Sequence, residues 1–329
     1  MLTDTLMLAS ASYPPMPNKA MGDDADCLNF FSPKDAPWDR HKAQSDRISK
    51  IYADETEFQR FAQRIFQCAG ELGFAWVGPD DGAQELRLRS ARFCRVRTCP
   101  ICQWRRSMMW QARFYESLPV IQDQFPKHRW IFLTLTVRNC PITELRDTLK
   151  TMTAGWTRLI RLPEFRTVSG WIRTTEVTRG AEGTAHPHFH CLLLVKPSYF
   201  RGACYVSQSR WAEAWKAAAR LDYQPVVDVR AVKGDLSKAV QETLKYAVKP
   251  SDMEGDSAWF LEYTRQVHKL RFLATGGGLK QILKAEEPES NQDLITVSSE
   301  VEPADEVVSS IVRFDWNRPR NRYKKSKAM

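Results

Sequence analysis

The chain has 329 residues, 43% of them hydrophobic, and carries 48 Lys and Arg against 39 Asp and Glu for a formal net charge of +9. That is enough for one large or two modest cores, and the basic balance suits a polyanionic partner. No run of 18 apolar residues is present and the N-terminus lacks a basic segment before an apolar one, so neither a membrane span nor a secretory signal is expected. The expected setting is cytoplasmic, where the eight cysteines serve as thiols or metal ligands rather than disulfides.

In chain order, residues 1–50 are weakly patterned. Pro14, Pro15, Pro17, Pro33 and Pro37 interrupt any long element and Asp23, Asp24 and Asp26 are solvated, which predicts a flexible leader. Ile51, Phe58, Phe61, Ile65 and Phe66 then recur near helical spacing, predicting a helix over 48–72 that leads to Cys68.

Cys94, Cys99 and Cys102 fall within nine residues. The Cys99-Pro100-Ile101-Cys102 spacing lets two thiolates reach one zinc ion from a tight turn. Cys94 supplies a third ligand, and Cys68 is the candidate fourth. A redox CxxC is the rival, but that motif usually opens the helix of a thioredoxin-like unit, and here arginines surround it. Residues 86–115 hold eight arginines and no Asp or Glu, interleaved with Phe93, Trp104, Trp110, Phe114 and Tyr115. Arg95, Arg97, Arg105 and Arg106 are candidate phosphate contacts, with the aromatic rings as stacking planes. Residues 51–128 are therefore expected to form a cysteine-rich, arginine-rich zinc- and DNA-binding region.

From there the pattern is regular. Strands are predicted over 129–137, 170–178, 187–195 and 226–232, and helices over 143–160, 207–220 and 235–248, with a turn at 179–183. The order βαββαβα suits an α+β domain with a ferredoxin-like, RRM-like antiparallel sheet and helices on one face.

The chain has six histidines, and His186, His188 and His190 are three of them. In a strand all three point to one face, followed by the apolar run Cys191 to Val195, so the imidazoles sit where a sheet enters its own core. If 170–178 and 187–195 form a hairpin, Glu176 lies beside them as a carboxylate ligand. Mixed imidazole and carboxylate donors with open positions suit Mg²⁺ or Mn²⁺ acting on phosphate, though zinc would also bind. In the last predicted helix Glu242, Tyr246 and Lys249 share a face. A tyrosine near pKa 10 needs a cation or base to act as a nucleophile at neutral pH, and Lys249, Lys245 or the metal could assist.

Phe132-Leu133-Thr134-Leu135-Thr136-Val137, then His186-Pro187-His188-Phe189-His190-Cys191, then Glu242 with Lys245, Tyr246 and Lys249 resemble the three motifs of plasmid rolling-circle replication initiators, the HUH endonucleases. The upstream Cys99, Cys102, Trp104, Arg105 and Arg106 and the later Gly276-Gly277-Gly278-Leu279-Lys280 resemble the branch with one tyrosine and a nearby glutamate. The resemblance spans roughly residues 60–284. It implies that His188 and His190 are the metal-binding pair, with His186 as an additional histidine. Tyr246 would be the nucleophile that leaves a 5′-phosphotyrosine and a free 3′-OH, and Glu242 the carboxylate that activates water at termination. Lys245 would contact DNA. The implied partners are plasmid origin DNA, single-stranded or in a hairpin, and the host helicase and polymerase. A transposase or relaxase with the same chemistry, and a non-enzymatic zinc-stabilised nucleic-acid-binding module, are the alternatives.

An endonuclease domain is thus expected over 129–284. In 285–329 an acidic stretch precedes a basic one, an expected disordered linker and tail.

Overall fold

A computed structural model of the protein describes residues 25–78, 84–245, 247–284, 289–297, 307–308 and 311–326. The first part runs through α1 (Leu28–Phe31), α2 (Pro37–Ala53), α3 (Gln59–Gln67), β1 (Glu71–Gly78), β2 (Glu85–Ala91) and the long helix α4 (Pro100–Gln124). Then come β3 (Arg129–Thr136), α5 (Leu145–Leu159), β4 (Val168–Arg179), β5 (Ala185–Val195), α6 (Gln208–Ala219), β6 (Val227–Ala231) and α7 (Ser237–Thr243). The chain closes with α8 (Pro250–Gly255), α9 (Ser257–Gln266), β7 (Leu273–Gly277), α10 (Leu279–Leu283), α11 (Asn291–Ile295), β8 (Val307–Val308), β9 (Val312–Asn317) and β10 (Arg322–Lys325).

The architecture is α+β with two antiparallel sheets. One has the order β10-β9-β1-β2, with β8 also paired to β1, and the other the order β6-β3-β5-β4-β7. Among the described residues no helix is long and apolar enough to cross a membrane.

The second sheet is built around β5, which pairs with β3 on one side and β4 on the other. Its alternate residues serve two cores. Phe189, on one face, meets Trp156 of α5 and Trp215 of α6. Leu192 and Leu194, on the other, meet Phe114 and Ile121 of α4, Val240 of α7 and Leu279 and Leu283 of α10. A strand buried on both sides reads as one apolar run. The expectation of helices on one face therefore needs correction: Leu192 and Leu194 share the histidine face and must be covered, so helices cover that face too at one end. His188 and His190 lie at the other end of the same face. Helix α6 starts where Ser207 accepts the Arg210 N–H at 3.3 Å, an N-cap that spares a backbone donor. It packs so closely on α5 that a Cβ at Gly155 would lie 2.9 Å from the Ala219 Cα.

The two ends of the chain differ from expectation. Residues 25–50 are no leader: Pro37 sits in the first turn of α2, where its missing N–H costs no helical bond, and Trp38, Ile48 and Tyr52 are fully buried. Residues 1–24 lie outside the described residues. The helix expected over 48–72 is two, because a 3₁₀ turn at Thr56–Phe58 separates α2 from α3. Nor are the described residues of the tail disordered. Strand β9 pairs with β1, matching Phe314 to Leu72, and Phe314 and Tyr323 are fully buried. The Tyr323 backbone N–H donates to Asp39 Oδ1 at 2.8 Å and its hydroxyl to the Ala69 carbonyl at 2.5 Å. The C-terminal strands thus complete the sheet begun by β1 and β2, crossing the boundary drawn at 285.

The acidic stretch is also engaged. Arg106 forms a bidentate pair with Glu289 at 2.7 and 2.9 Å, and Arg113 lies 3.9 Å from Asp293. The long basic helix is thereby held to the acidic segment that follows α10.

Candidate functional site

The β4–β5 pairing sets Glu176 directly opposite His188 and Thr174 opposite His190. Side chains on one face of neighbouring strands meet across the ladder and diagonally, so one carboxylate reaches both imidazoles. Glu176 Oε2 lies 2.9 Å from His188 Nε2 and 2.8 Å from His190 Nε2. The far nitrogens are oriented from behind: His188 Nδ1 is 3.3 Å from the His186 carbonyl and His190 Nδ1 is 3.5 Å from Thr134 Oγ1. These contacts hold both rings with Nε2 turned toward Glu176 and the position a ligand would take. Glu176, His188 and His190 form a group that could hold a metal ion. His186 stands apart, its Nδ1 2.7 Å from Asn139 Oδ1.

Lys245 completes the cluster. Its ammonium lies 2.7 Å from Glu176 Oε2 and 2.6 Å from Glu242 Oε1, and Glu242 Oε1 is 3.7 Å from His190 Nε2. Burial alone would raise the Glu176 pKa, but donation from His188, His190 and Lys245 outweighs it and holds the carboxyl well below its usual range. Burial opposes the Lys245 charge, yet the two carboxylates raise its pKa. His190 is lowered, first by burial and then by repulsion from His188 and Lys245, despite Glu176.

The helix predicted over 235–248 stops at Thr243, so Glu242 and Lys249 do not share one helical face. The chain leaves the helix because the Ala247 carbonyl accepts the Val177 N–H of β4 at 3.0 Å. Pro250 then favours the extended conformation observed at Lys249, φ −71° and ψ 139°. Lys249 is exposed. Tyr246 lies outside the described residues, but Lys245 touches Glu176 and Ala247 is bonded to the strand that carries it. Tyr263, the next tyrosine along the chain, is fully buried.

The structure brings Cys68, Cys94, Cys99 and Cys102 together, with their sulfurs all within 4.8 Å of one another. All four are buried. Cys68 ends α3, while Cys99 and Cys102 open α4. Ala69 and Arg95, immediately after Cys68 and Cys94, have φ of 48° and 56°, left-handed turns that bend the chain just beyond each cysteine. The Cys94 N–H reaches Cys68 Sγ at 3.4 Å and the Arg95 N–H reaches Cys102 Sγ at 3.3 Å. Four thiolates buried together would need a cation, and four sulfurs in this arrangement suit zinc.

The arginines fare differently. Arg105 is buried and donates to the Leu294 and Ile295 carbonyls at 2.8 and 2.9 Å. Arg106 is held by Glu289, and Arg97 donates to the Leu270 carbonyl. Of the four arginines expected to contact phosphate, Arg95 alone is exposed. The others join segments distant in sequence, which is why their density looked like a binding face. Lys245, also expected on DNA, is the carboxylate-bound cation described above. The residues that the sequence did not single out are Asn139, behind His186, and the supporting role of Thr134. The alternation of Leu and Thr in 133–136 was the available signal, since it sets Thr134 on the histidine face.

A family model described as Replication protein matches residues 85–324 of the chain. A protein named Protein rep from Streptococcus pneumoniae serotype 2 (strain D39 / NCTC 7466) is 36% identical over 259 residues, covering 76% of this chain and 80% of that protein. Proteins of the same name from Lentilactobacillus hilgardii and Lactiplantibacillus plantarum are 33% and 34% identical, covering 87% and 86% of this chain and 94% and 93% of theirs. No solved structure matches the chain.

Proposed function

The chain belongs to the replication protein family, and from that premise we propose that it initiates rolling-circle replication of a plasmid by nicking one origin strand with Tyr246. The observation that carries this reading is the meeting of Glu176, His188 and His190 with Lys245, the residue next to Tyr246 in the chain. The β6-β3-β5-β4 order, fourth-first-third-second for a βαββαβ unit, supports a ferredoxin/RRM-like endonuclease domain of the HUH type.

The donor set fits a divalent ion: one carboxylate and two imidazole Nε2 atoms converge, and their second nitrogens are held from behind. A bound Mg²⁺ or Mn²⁺ would act as a Lewis acid, stabilising the charge that develops on the non-bridging phosphate oxygens. The Tyr246 phenolate oxygen bonds to phosphorus, the P–O3′ bond breaks, and the departing oxygen takes a proton to become the 3′-OH. The 5′ side remains as a phosphotyrosine. Lys245, charged and fixed between Glu176 and Glu242, offsets the negative charge of the phosphate and the tyrosinate. Glu242, 46% exposed at its side chain and beside His190, is the carboxylate that takes a proton from water at termination. The cysteine cluster would hold a structural zinc. The free 3′-OH serves host polymerase and helicase.

The test is nicking of supercoiled plasmid carrying the cognate origin, with Mn²⁺ present. Tyr246→Phe abolishes relaxation while retaining origin binding; a variant that still nicks places the nucleophile elsewhere.

A further inference from the structure

One face of α4 carries Arg106, Trp110 and Arg113, whose spacing sets them one above another along the helix. Carboxylates from far along the chain cover its two cations. Arg106 Nε and Nη2 donate to Glu289 at 2.7 and 2.9 Å, and Arg113 lies 3.9 Å from Asp293 Oδ1. Trp110 stands between them, half-buried, with the Arg113 guanidinium 4.9 Å from its ring. The Arg106 and Arg113 side chains are still 28% and 24% exposed, so both are open to exchange their partner from the solvent side.

Other groups anchor the acidic segment. Leu294 is fully buried and the Arg105 guanidinium donates to the Leu294 and Ile295 carbonyls, while Glu289 precedes Ser290, the N-cap of α11. The Glu289 carboxylate can therefore turn away and leave that anchor intact. A carboxylate and a phosphate occupy the fork of an arginine in the same bidentate way. Residues 286–306 hold eight acids and no Lys or Arg, so the segment is a polyanion, as a nucleic-acid strand is. Helix α4 also reaches the histidine cluster. The Ser107 hydroxyl donates to the Leu244 carbonyl at 2.6 Å, and Lys245, the next residue, lies 2.7 Å from Glu176.

We propose that the Arg106–Arg113 face of α4 is a track for the phosphates of a single DNA strand running out from the Glu176, His188 and His190 cluster. Glu289 and Asp293 occupy that track as an intramolecular substitute, which the strand displaces. The proposal rests on the nicking function above, and adds to it a surface that holds the strand and a contact that restrains its binding.

The experiment measures binding of a short oligothymidylate to the full-length protein over a range of salt concentrations, without added Mn²⁺, and maps photo-cross-links from a 5-iododeoxyuridine in the strand by mass spectrometry. Glu289→Gln keeps an oxygen for Arg106 and removes its charge. It is expected to tighten binding about two- to tenfold and to steepen the fall of log K with log salt by about 0.7. In the wild type a phosphate merely replaces one anion with another, whereas in the variant Arg106 neutralises one phosphate more. Cross-links are expected at Trp110, in higher yield for the variant. Unchanged affinity, tightening with an unchanged salt slope, or cross-links confined to other surfaces overturns the proposal, the second because charge acting at a distance would suffice. Because cross-linking is also done on the wild type, it locates the strand even if Glu289→Gln folds poorly. Origin nicking with Mn²⁺ is measured on the same preparation. Nicking with cross-links elsewhere removes the track alone, whereas cross-links at Trp110 without nicking support the track and remove the nicking function.

Discussion

Replacing Glu176 with Gln tests the cluster without changing its shape. The carboxylate is 3% exposed, and its Oε2 receives His188, His190 and Lys245 at 2.9, 2.8 and 2.7 Å. A neutral amide oxygen still accepts, but charge-assisted bonds become ordinary ones at a cost of roughly 1 kcal/mol each. Lys245 keeps Glu242 at 2.6 Å, which limits the damage. The expected loss is about 2–3 kcal/mol, or about 1 M in the urea midpoint for an m-value of about 3 kcal/mol/M. The assay is urea unfolding followed by tryptophan fluorescence without added Mn²⁺, repeated with it. Added Mn²⁺ at about 100 times its Kd stabilises the wild type by about 2.7 kcal/mol and the variant by much less. A midpoint unchanged by Glu176→Gln, with equal Mn²⁺ stabilisation of both proteins, would refute the argument that this carboxylate is the buried centre of a metal-binding group.

Cys99→Ser is expected to lose bound zinc and melt at lower temperature; a zinc-free variant of unchanged stability contradicts a structural metal there. A chain ended at 310 lacks Phe314, Trp316 and Tyr323. Losing three large core side chains at about 3–5 kcal/mol each matches or exceeds ordinary domain stability, so circular dichroism should show loss of cooperative folding. His41 is 2% exposed, and burial first, then Arg40, lowers its pKa from 6.5 to about 3. The unfolded chain therefore binds a proton that the folded one refuses. Its contribution is full above pH 6.5 and falls with acidification, by about 3 kcal/mol at pH 4. His41→Phe should flatten that part of the stability profile; an identical slope in both proteins contradicts it.

Much of the site was legible because it rests on strands. A period of two sets His188, His190 and Glu176 on one face once β4 and β5 pair, and the Leu and Thr alternation of β3 places its strand beside them. The last helix was misjudged because its end is decided by a tertiary bond, from Val177 N–H to the Ala247 carbonyl, which no local periodicity records. The arginines misled for a related reason. Arg105 and Arg106 have partners at 289–295, complementary across the chain rather than within any window. The tail carried its own signal: Val312, Phe314 and Trp316 alternate with Arg313, Asp315 and Asn317, and Phe314 and Trp316 are buried. Its high local charge obscured a strand that is apolar on one face only.

The most direct measurement is mass spectrometry of wild-type protein incubated with a single strand of its plasmid origin and Mn²⁺, then digested. The account predicts a nucleotide adduct on the peptide containing Tyr246, absent when EDTA is added and absent from Tyr246→Phe. An adduct on another residue, or cleavage that proceeds with no covalent intermediate, would contradict it.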